Sequence, residues 1–235
     1  MKPPFLTLAL VVLIAAPGSA QQPPAASGMT KAAVEKIGDG KYRIGAMQVD
    51  TVKREVTVPA GINPVENVEF TASARNGVKS YETLLILNTD AVEFNTALLL
   101  IGLDPARGKP SKMQFDKDTP EGDAVELFVD MADGQRLRVE ELLYDKGLKQ
   151  PLASGPWVYT GSTFIPGMNG PRYLAEIDGV LVGLMHGPSA IIENPRNDQV
   201  ARFGNIIPNP KFVKTQTYAS FVVRALPLPG RPKLK

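Results

Sequence analysis

The chain has no cysteine and only one histidine among its 235 residues. Without cysteine it forms no disulfide and offers no thiolate for catalysis, for zinc or for an ordinary iron–sulfur cluster. A single histidine excludes every site that needs two imidazoles, including the helical zinc-protease motif and copper centres with several histidines. The composition therefore removes several classes of chemistry and indicates none.

Glycine and proline are frequent, with 21 residues each, and hydrophobic residues make up 43% of the chain. That is enough for one sizeable core, and it argues against an all-helical bundle. Residues 54–58 alternate polar and apolar side chains like a half-buried strand, and Asp133-Gly134 is a hairpin signal. Residues 173–177 and 180–185 are predicted as two further strands, joined by a turn at Asp178-Gly179.

One helix is marked at both ends, over residues 90–101. Asp90 is a good N-cap with Glu93 three residues later, and Gly102 suits the left-handed residue that ends a helix. Apolar residues surround most of residues 97–101, so we expect this helix to be buried on more than one side. The sequence predicts an α+β fold, a mainly antiparallel sheet with one buried helix and short hairpins.

The N-terminus has the pattern of a secretory signal peptide over residues 1–20. Lys2 precedes an apolar stretch at residues 5–16, and small residues at 18–20 suit cleavage after Ala20. The apolar stretch is well short of the roughly 20 residues that a membrane-spanning helix needs, and no later segment approaches that length. We therefore expect an exported protein, periplasmic or extracellular, with no transmembrane segment after cleavage.

The rest of the chain divides by composition and charge. Residues 21–30 are predicted to be a disordered spacer, residues 31–198 a single domain, and residues 199–235 a basic extension whose last residues are disordered. The 18 basic and 24 acidic residues between positions 21 and 198 leave a net charge of −6, whereas the extension has seven basic residues and no acidic one. Its partner is expected to be an anionic envelope polymer, an envelope protein or the chain's own domain; no specific nucleic-acid signal is present.

Four segments together resemble the YdjY-like domain family, over about residues 33–195. They are Tyr81 with the four residues after it and residues 95–103, 157–162 and 173–179. The family consists of secreted bacterial proteins with no established activity; one member is described as ferredoxin-like, a role that requires cysteines. The sequence pattern of the family has His-Glu-Ser where this chain has Tyr81-Glu82-Thr83. The resemblance implies export and the domain boundaries, and it implies no reaction.

Glu82 is the first candidate for a catalytic residue. It lies among apolar residues in a segment expected to be buried, where a carboxylate must be paired or protonated. A buried salt bridge or a backbone contact at the helix entry explains the same residue without catalysis. His186 is the second candidate: it suits a general base, or simply a hydrogen bond to a backbone carbonyl at the end of a strand.

Three aromatic residues, Tyr81, Trp157 and Tyr159, are candidates for ligand binding. Trp157 and Tyr159 together would form an aromatic platform for a sugar, although a lone tryptophan on a strand also suits the core.

One acidic loop is a candidate metal site, with Asp116, Asp118, Glu121 and Asp123 as oxygen ligands for calcium. The spacing departs from the EF-hand, so a solvated surface loop is the alternative. No other cofactor is expected.

Two function classes follow. The first is a non-enzymatic envelope or extracellular binding protein, indicated by export, the missing catalytic constellations and the charge-separated extension. The second is a hydrolase or lyase with a carboxylate site around Glu82, assisted by a metal at the acidic loop.

Overall fold

A computed structural model describes residues 33–213 and 217–227. The predicted signal peptide, the predicted spacer and the last residues of the basic extension lie outside these ranges.

Within the described ranges the chain forms seventeen strands: β1 (Val34–Gly38), β2 (Lys41–Ile44), β3 (Met47–Asp50), β4 (Glu55–Ile62), β5 (Phe70–Ala74), β6 (Thr83–Leu87), β7 (Asp123–Met131), β8 (Arg136–Arg138), β9 (Leu143–Asp145), β10 (Gln150–Pro151), β11 (Trp157–Tyr159), β12 (Phe164–Ile165), β13 (Arg172–Tyr173), β14 (Val180–Gly183), β15 (Ile192–Glu193), β16 (Ile206–Pro208) and β17 (Thr217–Ala225).

Helices are few and short. They are α1 (Ala91–Leu100), α2 (Leu174–Asp178) and α3 (Asn197–Val200), with 3-10 turns at Ser80–Glu82, Pro105–Arg107 and Val139–Leu142. None of the helices in the described ranges is long and apolar enough to cross a membrane.

Eight strands close into a barrel. Their order around the ring is β4, β17, β7, β11, β15, β14, β5 and β6, and β6 pairs back with β4. The closing pairs join Ala60 to Leu87 and Ile62 to Leu85. Closure leaves the ring without free edges, so its backbone groups are paired on both sides.

The remaining strands extend this barrel. β1, β2 and β3 form an antiparallel meander that joins the first half of β4, and β8 forms a hairpin with β7. β9 pairs with β10 and β16 in a separate small sheet, and β12 with β13 in a two-stranded hairpin. This β12–β13 hairpin lies beside the candidate site described below.

The core fills the barrel with alternating side chains. On β4 the buried apolar residues are Val56, Val58, Ala60 and Ile62, and β7 contributes Val125, Leu127 and Val129 in the same way. This period of two is what a strand with one buried face produces. α1 packs against β3 and β14 through Phe94, Ala97 and Leu98.

The predicted fold class, α+β with a mainly antiparallel sheet and one buried helix, is wrong. The protein is mostly β, its sheet closes into the eight-stranded barrel, and the pairings β5–β6 and β14–β15 are parallel. α1 has the predicted caps, since Asp90 accepts a hydrogen bond from the Glu93 backbone N–H at 2.8 Å and Gly102 has a φ of 85°. However, Leu99 is 43% exposed, so one face of the helix packs and the other is free.

The strand predicted over residues 173–177 is also wrong, because this segment forms α2. Gly179 is the left-handed residue that ends the helix, with a φ of 71°, and not a hairpin turn. An Asp-Gly pair serves both purposes, so the local signal is ambiguous.

β17 comes from the segment that the charge pattern set apart as an extension. It pairs with β4 along eight positions on one side and with β7 along seven on the other. A chain ending at Asp198 lacks this strand and therefore lacks a closed barrel.

We predict that Phe221→Ala lowers the free energy of unfolding by about 3–5 kcal/mol, because the ring is fully buried and its removal leaves a cavity. Tyr218→Ala is the matched control on the same strand, where the side chain is 81% exposed, and it should change stability by less than about 0.5 kcal/mol. Urea denaturation of both variants measures the difference. Equal losses in the two variants would contradict the burial of β17.

Candidate functional site

A cleft of about 660 Å³ opens between α1, the β12–β13 hairpin and α2. This volume falls within the roughly 300–1,000 Å³ that small-molecule sites occupy. Its lining residues mix apolar and polar side chains: Val92, Asn95, Thr96, Phe164, Pro171, Arg172, Tyr173, Glu176 and Ile177.

The sequence places one face of α1 in this cleft. Val92, Asn95 and Thr96 follow a spacing of three and four residues, so they share a helix face, while Phe94 and Ala97 lie on the buried face. The β12–β13 hairpin and α2 form the opposite wall. They come directly after β11 in the chain, which leaves that strand through Gly161. Helix and hairpin thus meet although about 70 residues separate them.

Two buried tyrosines form hydrogen bonds next to the cleft: Tyr173 lines it, and Tyr159 bonds to its lining residue Asn95. The Tyr159 hydroxyl donates a hydrogen bond to Oδ1 of Asn95 at 2.7 Å, and the Tyr173 hydroxyl donates to the Gly161 carbonyl at 3.1 Å. Burial raises the pKa of both phenols, so both stay protonated and act as donors. Because Oδ1 of Asn95 is engaged by Tyr159, its Nδ2 group remains for other partners.

The cleft also holds two charges without protein partners. Across residues 33–213 and 217–227, Arg172 is the one arginine that forms neither a hydrogen bond nor an ion pair with the protein. The exposed carboxylate of Glu176 likewise has no such partner in these ranges. The other arginines of the described ranges bond to carboxylates or to carbonyl oxygens, so Arg172 differs from them.

An exposed aromatic ring forms part of the rim. Phe164 is 64% exposed, and its ring centroid lies 5.0 Å from that of Tyr173. Its neighbour on the hairpin tip, Met168, is fully exposed. The cleft therefore offers an apolar surface next to Arg172 and Glu176.

The predicted aromatic residues lie elsewhere. Trp157 and Tyr159 are both fully buried in β11, and the Trp157 indole N–H donates to Oε1 of Glu140 at 3.0 Å. Tyr81 is exposed in the 3-10 turn Ser80–Glu82. The structure does not bring the three together, and none of them lines the cleft; Tyr159 only contacts a lining residue, Asn95.

Glu82 is half-buried and has a carboxyl neighbour, Glu69. Burial, together with the charge of Glu82 and a hydrogen bond to its side chain, raises the pKa of Glu69, while the nearby Lys79 opposes the effect. The backbone N–H of Glu69 also donates to the Glu82 carbonyl at 3.0 Å, which holds the two residues together. Because its pKa is raised, the Glu69 carboxyl keeps its proton to a higher pH than a lone carboxyl does.

His186 is buried, and each ring nitrogen faces a backbone carbonyl. Nδ1 lies 2.7 Å from the Asp116 oxygen and Nε2 lies 2.8 Å from the Asn194 oxygen. A carbonyl only accepts, so both contacts are hydrogen bonds only when the ring carries two protons. With both nitrogens engaged, His186 joins the acidic loop to the segment after β15.

Glu193 is the buried carboxylate nearest in the chain to this histidine. It accepts hydrogen bonds from the Ser111 hydroxyl at 2.5 Å and from the Ser111 backbone N–H at 3.0 Å. Burial raises the pKa of Glu193, while these bonds and the charge of His186 oppose the rise. Ser111 is thus bonded to Glu193 and not to His186. The serine and the histidine therefore do not form the pair of nucleophile and base that serine catalysis uses.

The four acidic residues of the predicted metal loop each have separate partners. Asp116 accepts from two backbone N–H groups, Asp118 pairs with Lys112, Glu121 pairs with Lys109, and Asp123 pairs with Arg107. In the part of the chain that the structure describes, no three His, Asp or Glu side chains converge as metal ligands would.

Reasoning from the sequence missed the residues that form the cleft, above all Phe164, Arg172 and Glu176. One signal was present: Arg172 is the first charged residue after Lys149, so it ends a long uncharged stretch. Asn95 stood in a segment that carried the family resemblance, and segments 95–103, 157–162 and 173–179 of that resemblance all meet around the cleft.

Comparison with known proteins gives one match. The family model of the YdjY domain matches residues 47–205, more than half of the chain and every residue that lines the cleft. A search of curated proteins and a search of solved structures found no match.

The Glu69–Glu82 pair predicts a pH dependence of stability. Because the pKa of Glu69 is raised in the folded state, protonation of this group stabilises the folded state below its ordinary pKa of 4.5. This stabilisation is lost as the pH rises through the pKa of the folded state. Glu82→Gln removes the repulsion, so the loss between pH 4 and pH 7 should be smaller than in the wild type. Urea denaturation at both pH values measures it, with the exposed Glu66→Gln as control. An unchanged pH dependence in Glu82→Gln counts against the pair.

Proposed function

The chain belongs to the YdjY domain family, and we propose that it is an exported, non-enzymatic binding protein whose ligand occupies the cleft between α1 and the β12–β13 hairpin. The observation that carries this proposal is the pair of charged side chains, Arg172 and Glu176, without protein partners in the described ranges, in a cleft of about 660 Å³. Pockets with a few placed polar groups among apolar ones are typical of ligand sites.

Binding is favoured over catalysis because the candidate nucleophiles and bases are already engaged in hydrogen bonds within the protein. Ser111 donates to a buried carboxylate, and both nitrogens of His186 contact carbonyl oxygens. Ser162 donates its hydroxyl proton to the carbonyls of Pro188 and Ser189. None of these groups is placed as a general base next to a nucleophile, which covalent catalysis requires.

Export is part of the proposal and rests on the N-terminal pattern of residues 1–20. The basic extension is a second contact in this proposal, toward an anionic envelope polymer. Two of its cations are engaged, since Arg202 pairs with Asp145 and Arg224 with Glu55, while Lys214 and the three basic residues after position 230 lie outside the described ranges. Lys211 is exposed and forms no ion pair with the described residues, so it is the described cation that a polymer contact would use.

A second candidate function, a hydrolase or lyase at Glu82, is favoured by the raised pKa of Glu69 beside Glu82. A carboxyl with a raised pKa next to a second carboxyl is an arrangement that acid–base catalysis uses. A substrate screen tests it: an activity lost in Glu82→Gln and kept in Glu66→Gln, with both variants equally stable, would establish the enzyme.

We predict that Phe164→Ala weakens ligand binding about tenfold, because a ligand in the cleft buries part of this exposed ring. The measurement is isothermal titration of the mature chain with a panel of neutral disaccharides, tripeptides and short fatty acids. Met168→Ala is the control, since this side chain is exposed on the same hairpin but does not line the cleft. If no member of the panel binds, or if both variants lose affinity equally, the cleft is not the binding site.

A further inference from the structure

The polar groups of the cleft form two complementary sets. The donors are the Arg172 guanidinium and Nδ2 of Asn95, whose Oδ1 is occupied by Tyr159. The acceptors are the Glu176 carboxylate and the oxygen of Thr96, whose hydroxyl proton is already donated to the Val92 carbonyl at 2.7 Å. A ligand that satisfies all four groups must present acceptors toward the first set and N–H or O–H donors toward the second.

Several arginines of the described ranges pair with carboxylates. Arg107 binds both oxygens of Asp123, and Arg202 binds both oxygens of Asp145 at 2.6 and 3.0 Å. The planar guanidinium matches a carboxylate through two parallel hydrogen bonds. Arg172 offers the same group to the cleft without an internal carboxylate to occupy it.

We propose, building on the binding function proposed above, that the cleft takes a short peptide with a free C-terminal carboxylate. The carboxylate pairs with Arg172 and a backbone carbonyl accepts from Asn95. Backbone N–H groups or the terminal ammonium donate to Glu176 and Thr96. An apolar peptide side chain packs on Phe164, beside Val92, Pro171 and Ile177.

The charge of the cleft favours this ligand over others. A single arginine next to a carboxylate gives no net positive charge, so a phosphate-rich ligand meets repulsion from Glu176. A neutral sugar leaves both charges without an opposite charge, and a fatty acid leaves Glu176 and Asn95 without polar partners. A zwitterionic peptide matches both charges at once.

The test uses the tripeptide alanyl-alanyl-phenylalanine, its C-terminal amide and its N-acetyl form, titrated calorimetrically into the mature chain. We expect the amide to bind about tenfold or more weakly than the free acid. In Arg172→Ala the free acid should lose a similar factor, and the acid and the amide should then bind alike. In Glu176→Gln, the peptide with a free amino terminus and the N-acetyl peptide should likewise bind with the same affinity.

Arg172 and Glu176 are exposed, so thermal melting of both variants should match the wild type and separates misfolding from lost binding. The inference fails if the amide binds the wild type as well as the free acid does, or if Arg172→Ala leaves the affinity unchanged. If a disaccharide binds and the peptides do not, and if Phe164→Ala weakens that binding, the peptide proposal is wrong and the proposed binding function stands. No binding by any compound overturns both.

Discussion

Strand β4 is the element on which the barrel depends, because one of its edges serves two neighbours. Its first residues pair with β3 and residues 60–62 pair with β6, while the other edge pairs with β17 along the whole strand. Pro59, which donates no ladder hydrogen bond, lies at the change of neighbour. The cleft depends on the same barrel. β11 is one of its strands and carries Tyr159, which holds Asn95 in place through a hydrogen bond.

Local features of the fold were predictable from the sequence, and its closure was not. The Asp90 cap and the Asp133-Gly134 hairpin depend on a few neighbouring residues, so their signals are complete within a short window. The ring depends on pairs such as Ala60 with Leu87 and Ala219 with Met131, which no periodicity relates. The α2 segment resembles a strand in the sequence because five residues are too few to show a helical period.

The cleft was not predictable from the sequence, for a related reason. Burial of a carboxylate pointed to Glu82, and the structure adds the partner, Glu69, that the sequence does not reveal. The aromatic pattern pointed to Trp157 and Tyr159, but an alternating strand does not tell which of its faces is inside a barrel. The cleft combines a helix face with a hairpin and a second helix, so no spacing within the chain describes it. The matched family region ends at residue 205, before β17, although the barrel includes that strand.

The position of β17 also determines when the protein is able to fold. This strand follows the other seven barrel strands in the chain and lies between β4 and β7, the former about 160 residues earlier. While the ribosome is still making residues 217–225, the edges of β4 and β7 that β17 will occupy remain open. The barrel therefore closes only after residues 217–225 have been synthesised, and contacts between such distant segments make that step slow compared with helix formation. Until then, the apolar faces of the earlier strands lack part of the barrel that covers them.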